Sequence, residues 1–125
     1  NLIQIAGIES IQNSDSLYLQ LYRKLSEGWK AVIIVDESLK IKNADAKRTQ
    51  RLITLGRMVD YKLILNGTPI SRNLLDIWSQ FEFLDPRILG MAMAEFKNSF
   101  CEYKTVTFHK RFRSRTKEWI VRYHN

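Results

Sequence analysis

Cysteine is almost absent from this sequence. Of the 125 residues only Cys101 is a cysteine, which excludes an internal disulfide and any metal site built from several thiolates. A single thiol is typical of a half-buried residue in a protein from a reducing compartment. Because 45% of the residues are hydrophobic and the chain is long enough to bury a core, we expect a globular domain held together by packing.

Long apolar runs are absent too. The longest, residues 31–35, is far shorter than the roughly 18 residues of a membrane-spanning helix. No signal pattern of basic, apolar and small residues opens the chain. These absences predict a soluble, cytoplasmic protein without a membrane partner. The first residue is asparagine and lies in an apolar stretch, so we expect the chain to be part of a longer protein.

Positive charge is concentrated near the C-terminus. Residues 1–96 carry 12 basic and 11 acidic side chains, whereas residues 97–125 carry 8 basic and 2 acidic ones. A clustered positive field attracts polyanions, nucleic acid above all. The alternative is a solvated basic surface with no partner. If the cluster binds double-stranded DNA, the candidate contacts are Lys110, Arg111, Arg113 and Arg115.

Apolar periodicity predicts three successive strand-helix units. One helix has apolar side chains at i, i+3, i+4 and i+7, and Gly28 can stop it. The central strand is so continuously apolar that we expect it to be covered on both faces. The predicted strands are residues 1–5, 31–35 and 61–65, and the predicted helices are residues 18–25, 44–55 and 74–84. Such alternation favours right-handed crossovers in a parallel α/β sheet.

The strand signal fades beyond residue 87. Residues 88–103 are predicted to be helical, and residues 104–125 are mixed and predicted to end in a helix. We therefore divide the chain into an α/β part, residues 1–90, and a basic helical extension, residues 91–125.

Polar turns follow two of the predicted strands. Asp36 and Glu37 come directly after the central strand, and the turn "NGTP" follows the third strand. Because parallel sheets bind ligands outside the carboxyl ends of their strands, both turns should lie at one edge. An acid pair there suits metal-assisted phosphoryl transfer, in which one carboxylate holds Mg²⁺ and the other orients or deprotonates water. The plainer alternative is that Asp36 caps a turn and Glu37 is only solvated.

Several motifs agree in order and spacing. "VIIVDES", "IKN" and "LILNGTPISRNLLDIWSQFEFLDP" together resemble the Swi/Snf-type branch of superfamily 2 helicase-like ATPases. The resemblance covers residues 30–90 and continues more weakly at "EFKNSFCEY" and "EWIVRYHN". It implies a partial RecA-like lobe of the P-loop NTPase class, from a DNA-dependent ATPase that moves along double-stranded DNA. "DESLKIKN" and "LNGTPISRN" look most like phage or prophage members, which would place the protein in a host cytoplasm.

The resemblance also implies roles for single residues. Asp36 and Glu37 match the acid pair of helicase motif II, which holds Mg²⁺, here through water, and positions the water that attacks ATP. Gly67 and Thr68, followed by Pro69, match the motif III turn, which links the nucleotide site to the DNA path. Glycine allows a tight backbone, and the threonine hydroxyl can donate to an acid such as Glu37. Asp36, Gly67 and Thr68 are thus the expected contacts to ATP and its Mg²⁺.

Other positions match or depart from the family pattern. Lys42 and Asn43 match the "KN" after motif II, where Asn43 is in position to cap the next helix. Many relatives carry Ala-His or Gly-His after the acid pair, where this chain has Ser38-Leu39. Many also carry threonine before the Gly-Thr-Pro, where this chain has Asn66. Both departures affect the expected coupling of the two motifs more than the chemistry.

A phosphate loop is missing from this chain. Nucleotide motors need Gly-x-x-x-x-Gly-Lys-Ser/Thr, and none of the five glycines here precedes a lysine. Nothing after residue 90 resembles the second motor lobe with its catalytic arginines. The chain is therefore expected to be the middle and end of the first motor lobe, inactive alone and partnered by a second motor lobe of the same parent protein.

Two other functions stay open. One is a non-catalytic nucleic-acid-binding or regulatory module, which the missing phosphate loop and the basic tail favour. The other is a metal-dependent hydrolase that uses Asp36 and Glu37 with His109 or His124, although no third ligand lies at a useful spacing.

Overall fold

A computed structural model describes residues 2–110 and 113–123, with side chains up to Glu102. Two helices are followed by alternating strands and helices and then by a hairpin. The helices are α1 (Ile8–Asn13), α2 (Asp15–Ser26), α3 (Lys47–Gly56), α4 (Trp78–Leu84) and α5 (Met93–Phe100). The strands are β1 (Val32–Asp36), β2 (Tyr61–Leu65), β3 (Cys101–Lys110) and β4 (Arg113–Tyr123). Two 3-10 turns, Ser38–Ile41 and Leu74–Ile77, lie between these elements.

The parallel pair β1 and β2 confirms the predicted α/β class. Val32 lies opposite Tyr61 and Asp36 lies opposite Leu65, so both strands end at the same edge. Valine, isoleucine and leucine favour this conformation because their side chains pack well on a pleated surface. The connection between the strands contains α3, which returns the chain to the starting edge and allows the parallel direction.

The predicted helices of the α/β part are present as α2, α3 and α4, but residues 44–46 precede α3 and residues 74–77 form a 3-10 turn ahead of α4. Ser14 caps α2, since its hydroxyl accepts from the amide of Leu17 at 3.1 Å. Gly28, at a φ of 92°, takes the left-handed backbone that ends this helical region. Asp85 and Pro86 follow α4. No helix in the described part of the chain has the length and apolar character that a bilayer span requires.

The core lies where α1, α3 and α4 meet the inner face of β1 and β2. Its buried members are Ile11, Val35, Ile41, Leu52, Ile53 and Phe83. Phe83 is 1% exposed, and its ring packs directly on α3 at Gly56. A Cβ atom at Gly56 would lie 3.0 Å from two atoms of that ring, so the glycine allows the close approach of α4 to α3.

The expectation that β1 is covered on both faces is wrong for the described residues. Val32 and Ile34 are 60% and 57% exposed, and Tyr61 and Leu63 of β2 are exposed beside them. The helices pack only against the opposite face, where Ile33 meets the core. Because side chains alternate along a strand, one-sided packing leaves every second residue uncovered.

The predicted strand at residues 1–5 is wrong as well. Residues 2–7 have no regular secondary structure, and Leu2, Ile3 and Ile5 are between 68% and 92% exposed. A strand needs a neighbour for its backbone hydrogen bonds, and no described strand pairs with this segment.

The basic helical extension is helical only in part. Helix α5 confirms the prediction over its own length, but from Cys101 onward β3 and β4 form an antiparallel hairpin. The predicted helix at the C-terminal end is therefore wrong. Threonine, valine, isoleucine and aromatic residues are frequent in this stretch, and they favour paired strands once two such segments can lie side by side.

Truncating the core ring tests this packing. Phe83→Ala should lower the free energy of unfolding by about 3–5 kcal/mol, because it removes a buried ring and leaves a cavity between α3 and α4. Chemical denaturation followed by circular dichroism measures the change. As a control, Ile88→Ala removes a side chain that is 53% exposed and should cost about 0.5 kcal/mol or less. Equal losses in the two variants would contradict this description of the core.

Candidate active site

The backbone turns sharply where β1 ends. Asp36 is the last residue of the strand, and Glu37 follows in the left-handed region with φ 50° and ψ 55°. Among the described residues, Glu37 is the only non-glycine residue with a positive φ. Such a conformation costs on the order of 1 kcal/mol and persists only where the surroundings enforce it, often at functional sites.

Both acids are exposed at this turn, and their contacts differ. Asp36 accepts a hydrogen bond through Oδ1 from the amide of Glu37 at 2.9 Å. The N-cap position of the 3-10 turn that follows is Glu37 itself, and no side chain caps it. The carboxylate of Glu37 lies 3.5 Å from the ammonium group of Lys40. Lys40 also lies 3.7 Å from Glu9. These exposed ion pairs are weak and leave Glu37 accessible.

A cleft of about 430 Å³ opens beside Glu37. It is lined by Glu37, Leu39, Lys40, Lys42, Arg48, Asn66, Gly67 and Thr68. The structure therefore brings the acid after β1 and the turn after β2 to one edge, as the parallel arrangement predicts. Asp36 does not line this cleft, and no hydrogen bond among the described residues joins Thr68 to Glu37.

Three cations of the cleft, Lys40, Lys42 and Arg48, were not predicted as site residues. Arg48 is held by a hydrogen bond from its Nε to the carbonyl of Lys40 at 2.9 Å. One carboxylate facing several cations suits an anionic ligand such as a phosphate, which the cations attract. The lysines close to the acid pair were the available signal in the sequence, whereas Arg48 reaches the cleft only from α3.

A polar cluster lies beside the cleft and shares Asn66 with its lining. We call Ser38, Asn66 and Gln80 the amide cluster. Ser38 and Gln80 are 0% and 1% exposed, and the Ser38 hydroxyl donates to Oε1 of Gln80 at 2.7 Å. Nδ2 of Asn66 donates to the same Oε1 at 2.7 Å and also to the Ser38 hydroxyl. Gln80 was missed in the sequence, where the adjacent polar residues Ser79 and Gln80 within a predicted helix were the only signal.

The segment after the turn is tied to the acid-pair loop by a second set of contacts. Nζ of Lys42 donates to the hydroxyl of Ser71 at 3.0 Å. The buried carboxylate of Asp76 accepts from the amides of Ser71 and Arg72 at 3.0 and 2.9 Å. Burial alone would raise the pKa of Asp76, but these amides, the Ser71 hydroxyl and the charge of Lys42 outweigh it and lower the pKa.

Asn43 does not cap the next helix. Its Oδ1 accepts from the amide of Asp45 at 3.0 Å and forms a turn ahead of α3, whose N-cap position is Ala46. Asparagine favours such turns because its side chain reaches a backbone amide two residues on. Residue 43 therefore shapes the approach to α3, and that helix starts without a side-chain cap.

The exposed carboxylate at the turn suits Mg²⁺, which keeps several waters, better than a metal ion whose ligands all come from protein. Magnesium takes one or two carboxylates and keeps several waters, and an exposed aspartate at a strand end offers that arrangement. Asp36 could therefore hold the ion through water. No three His, Cys, Asp or Glu side chains gather into a metal site within the described part of the chain. The hydrolase alternative depends on His109 and His124, whose side chains lie outside the described ones.

The predicted DNA contacts fall where side chains are not described. Lys110 ends β3, and Arg113 and Arg115 lie near the start of β4, with Lys110 opposite Arg113 in the register. Arg111 lies outside the described residues. The backbone thus brings Lys110, Arg113 and Arg115 to one end of the hairpin, and their contact with DNA stays a prediction.

Comparison with known proteins finds relatives among helicase-like ATPases. The "TATA-binding protein-associated factor mot1" of Schizosaccharomyces pombe is 47% identical over 57 residues, which are 46% of this chain and 3% of that protein. A "probable ATP-dependent helicase" of Plasmodium falciparum is 35% identical over 96 residues, 77% of this chain and 4% of that protein. The "chromodomain-helicase-DNA-binding protein 1-like" of Danio rerio is 30% identical over 92 residues, 73% of this chain and 8% of that protein.

These relatives are eukaryotic, so they lend no support to a phage or prophage origin. The chain spans less than a tenth of the length of each of the three. A match to the family described as "SNF2-related domain" extends over residues 2–124. Together with the parallel strands and the motifs at their ends, this match shows that the chain belongs to the SNF2-related domains of the Swi/Snf superfamily 2 helicase-like ATPases, as part of a RecA-like lobe.

Proposed function

We propose that the protein containing this chain is a DNA-dependent ATPase that moves along double-stranded DNA. In this proposal the chain supplies the acid pair and the motif III turn of the first motor lobe. The observation that carries the proposal is the single cleft lined by Glu37, Gly67 and Thr68 together with several cations. Its family, whose members are helicase-like ATPases, supports the same class of reaction.

Glu37 is the proposed catalytic base. Its carboxylate is exposed at the cleft and can accept a proton from the water that attacks the γ-phosphorus of ATP, while the bond to the leaving ADP breaks. Asp36 would hold Mg²⁺ through water, and the bound ion would supply positive charge that neutralises the phosphates. Lys42 and Arg48 add positive charge to the lining of the same cleft. Thr68 offers a hydroxyl at the same cleft.

The remaining parts of the motor must come from elsewhere in the parent protein. No glycine in this chain precedes a lysine, so the phosphate loop would be supplied outside residues 1–125. A second motor lobe would supply the arginines that complete the site. A cytoplasmic location follows from the same proposal only if the parent carries no targeting or membrane segment.

The first prediction concerns the base. In the full-length parent, Glu37→Gln should lower DNA-stimulated ATP hydrolysis by about 100-fold or more, because the amide cannot accept the proton of the attacking water. Nucleotide binding should be largely retained, since the side chain acts on water and not on the nucleotide. Phosphate release measures the first quantity, and the fluorescence of a labelled ATP analogue measures the second.

Glu27→Gln is the matched control for that variant. Glu27 is an exposed glutamate after α2, away from the cleft lining, and its replacement should leave both measurements at wild-type values. A Glu37→Gln protein that hydrolyses ATP as fast as the control would contradict the assignment of the base. A wild-type parent that binds DNA but does not hydrolyse ATP would favour the non-catalytic module instead.

The second prediction concerns residues 1–125 alone. This chain should show no appreciable ATP hydrolysis with or without DNA, because the phosphate loop and the second lobe are needed to place the γ-phosphate. A phosphate-release assay on the purified chain measures this. Turnover that disappears in Glu37→Gln would contradict the prediction, whereas turnover unaffected by that change would indicate a contaminating enzyme.

The third prediction concerns DNA binding by the basic tail. Binding to duplex DNA should be independent of sequence and should weaken with salt, because cations on phosphates release counterions. If four cations contact phosphates, the slope of log affinity against log salt is roughly −3.6. Replacing all four predicted contacts with alanine should flatten the slope towards zero. The four are Lys110, Arg111, Arg113 and Arg115.

A matched variant controls for the loss of net charge. It replaces four exposed cations of the α/β part, namely Arg23, Lys30, Lys47 and Arg57. Fluorescence anisotropy with a labelled duplex of mixed sequence, repeated over a salt series, gives the slope for each protein. If the tail variant keeps the wild-type affinity and slope, the tail is solvated surface and the DNA path lies elsewhere.

A further inference from the structure

We propose that Gln80 is a positioning residue that couples the catalytic acid Glu37 to the Gly-Thr-Pro turn through Ser38 and Asn66. The inference rests on the proposed ATPase function and gives a role to a residue that lies within a quoted motif but had none assigned to it. It follows from the contacts that one buried amide makes to both loops at the edge of the sheet.

The backbone of Glu37 depends on contacts of the residues on either side of it. Its left-handed conformation must be held from both sides to persist. On the preceding side, Asp36 accepts the hydrogen bond from the Glu37 amide at 2.9 Å. On the following side, Ser38 is fully buried and its hydroxyl donates to Gln80 at 2.7 Å. Gln80 therefore holds Ser38, the residue that follows the strained backbone of Glu37.

Gln80 also contacts the turn after β2, directly and through Asn66. Nε2 of Gln80 donates to the carbonyl of Pro69 at 2.8 Å. Its Oε1 accepts from Nδ2 of Asn66 at 2.7 Å. Asn66 in turn accepts through Oδ1 from the amide of Leu39 at 3.3 Å. The two residues that flank Gly67-Thr68 are thus held by the same side chain that holds Ser38.

The side-chain amide of Gln80 has no hydrogen-bonding capacity left for another partner. Oε1 accepts two hydrogen bonds, and Nε2 donates two, the second to the carbonyl of Asp76 at 2.8 Å. With Gln80 only 1% exposed, water cannot readily replace a lost partner. A shift of the turn must therefore move Ser38 or leave a buried polar group unpaired. Buried polar networks of this kind act as units.

The sequence departures fall in the same cluster. Ser38 and Asn66 are two positions at which this sequence departs from the motif pattern of the family that it resembles. The structure joins the two through a hydrogen bond and gives both a shared partner in Gln80. This chain has Leu39 where the family pattern has a histidine. Coupling between the acid pair and the Gly-Thr-Pro turn can pass through the amide cluster instead.

The test is a double-mutant cycle in the full-length parent. Gln80→Met keeps the length of the side chain but removes its donors and its strong acceptor, and Ser38→Ala removes one hydroxyl. Each single change should lower kcat for DNA-stimulated ATP hydrolysis roughly tenfold or more, because it displaces the carboxylate of Glu37. The KM for ATP should stay unchanged, because the residues that bind the nucleotide are not displaced. The double variant should lose no more than the worse single one.

Two controls separate positioning from folding. Gln20→Met changes an exposed glutamine of α2 and should keep the wild-type kcat. Thermal denaturation of every variant shows that the assay temperature lies below the unfolding transition. If Gln80→Met does not fold, Ser38→Ala decides: a lowered kcat at unchanged KM supports the coupling, and a wild-type kcat overturns it.

The remaining outcomes are distinct. Folded variants with wild-type kcat, or losses that multiply in the double variant, would overturn the inference while the wild-type activity upholds the proposed function. A wild-type parent without DNA-stimulated ATP hydrolysis would overturn the proposed function and this inference with it.

Discussion

The parallel pairing of β1 with β2 is the interaction on which the rest of the site depends. Its register sets Asp36 opposite Leu65, so the loops that follow both strands leave the sheet at one edge. An antiparallel pair would send them to opposite edges, and Glu37 and Thr68 could not line one cleft. The pairing is stabilised from the inner face, where Val35 and Ile33 meet the apolar core formed with α1, α3 and α4.

Two sets of contacts, one exposed and one buried, form at that edge of the sheet. Glu37 and the cations of the cleft form an exposed surface of mixed charge that suits a phosphate ligand. Beside it, Gln80 joins the two loops through buried hydrogen bonds, and Asp76 holds the segment after the turn. The exposed set can meet ligand and solvent, while the buried set fixes its geometry. The uncovered outer face of β1 and β2 is consistent with a partial RecA-like lobe.

The sequence predicts secondary structure best where local contacts determine it. The helical stripe around Leu21 predicts α2, and the mostly apolar residues 61–65 predict β2. The sequence predicts secondary structure less well where a segment becomes a strand only by pairing with another segment. The mostly apolar residues 2–5 have no described strand beside them, and residues 104–125 fit a helix or a strand until β3 and β4 pair. Strand pairing is a long-range event, so periodicity within one segment cannot decide it.

The sequence by itself determined the α/β class, the acid pair, the Gly-Thr-Pro turn and their place after successive strands, because these depend on residue type and order. Only the tertiary structure decided the left-handed backbone of Glu37, the position of Arg48 at the cleft and the contact between Ser38 and Gln80. Ser38 and Gln80 are 42 positions apart, and no periodicity links them. They meet because α4 packs its buried face against the core beside the sheet edge, and a hydrogen bond of a few ångströms depends on that packing.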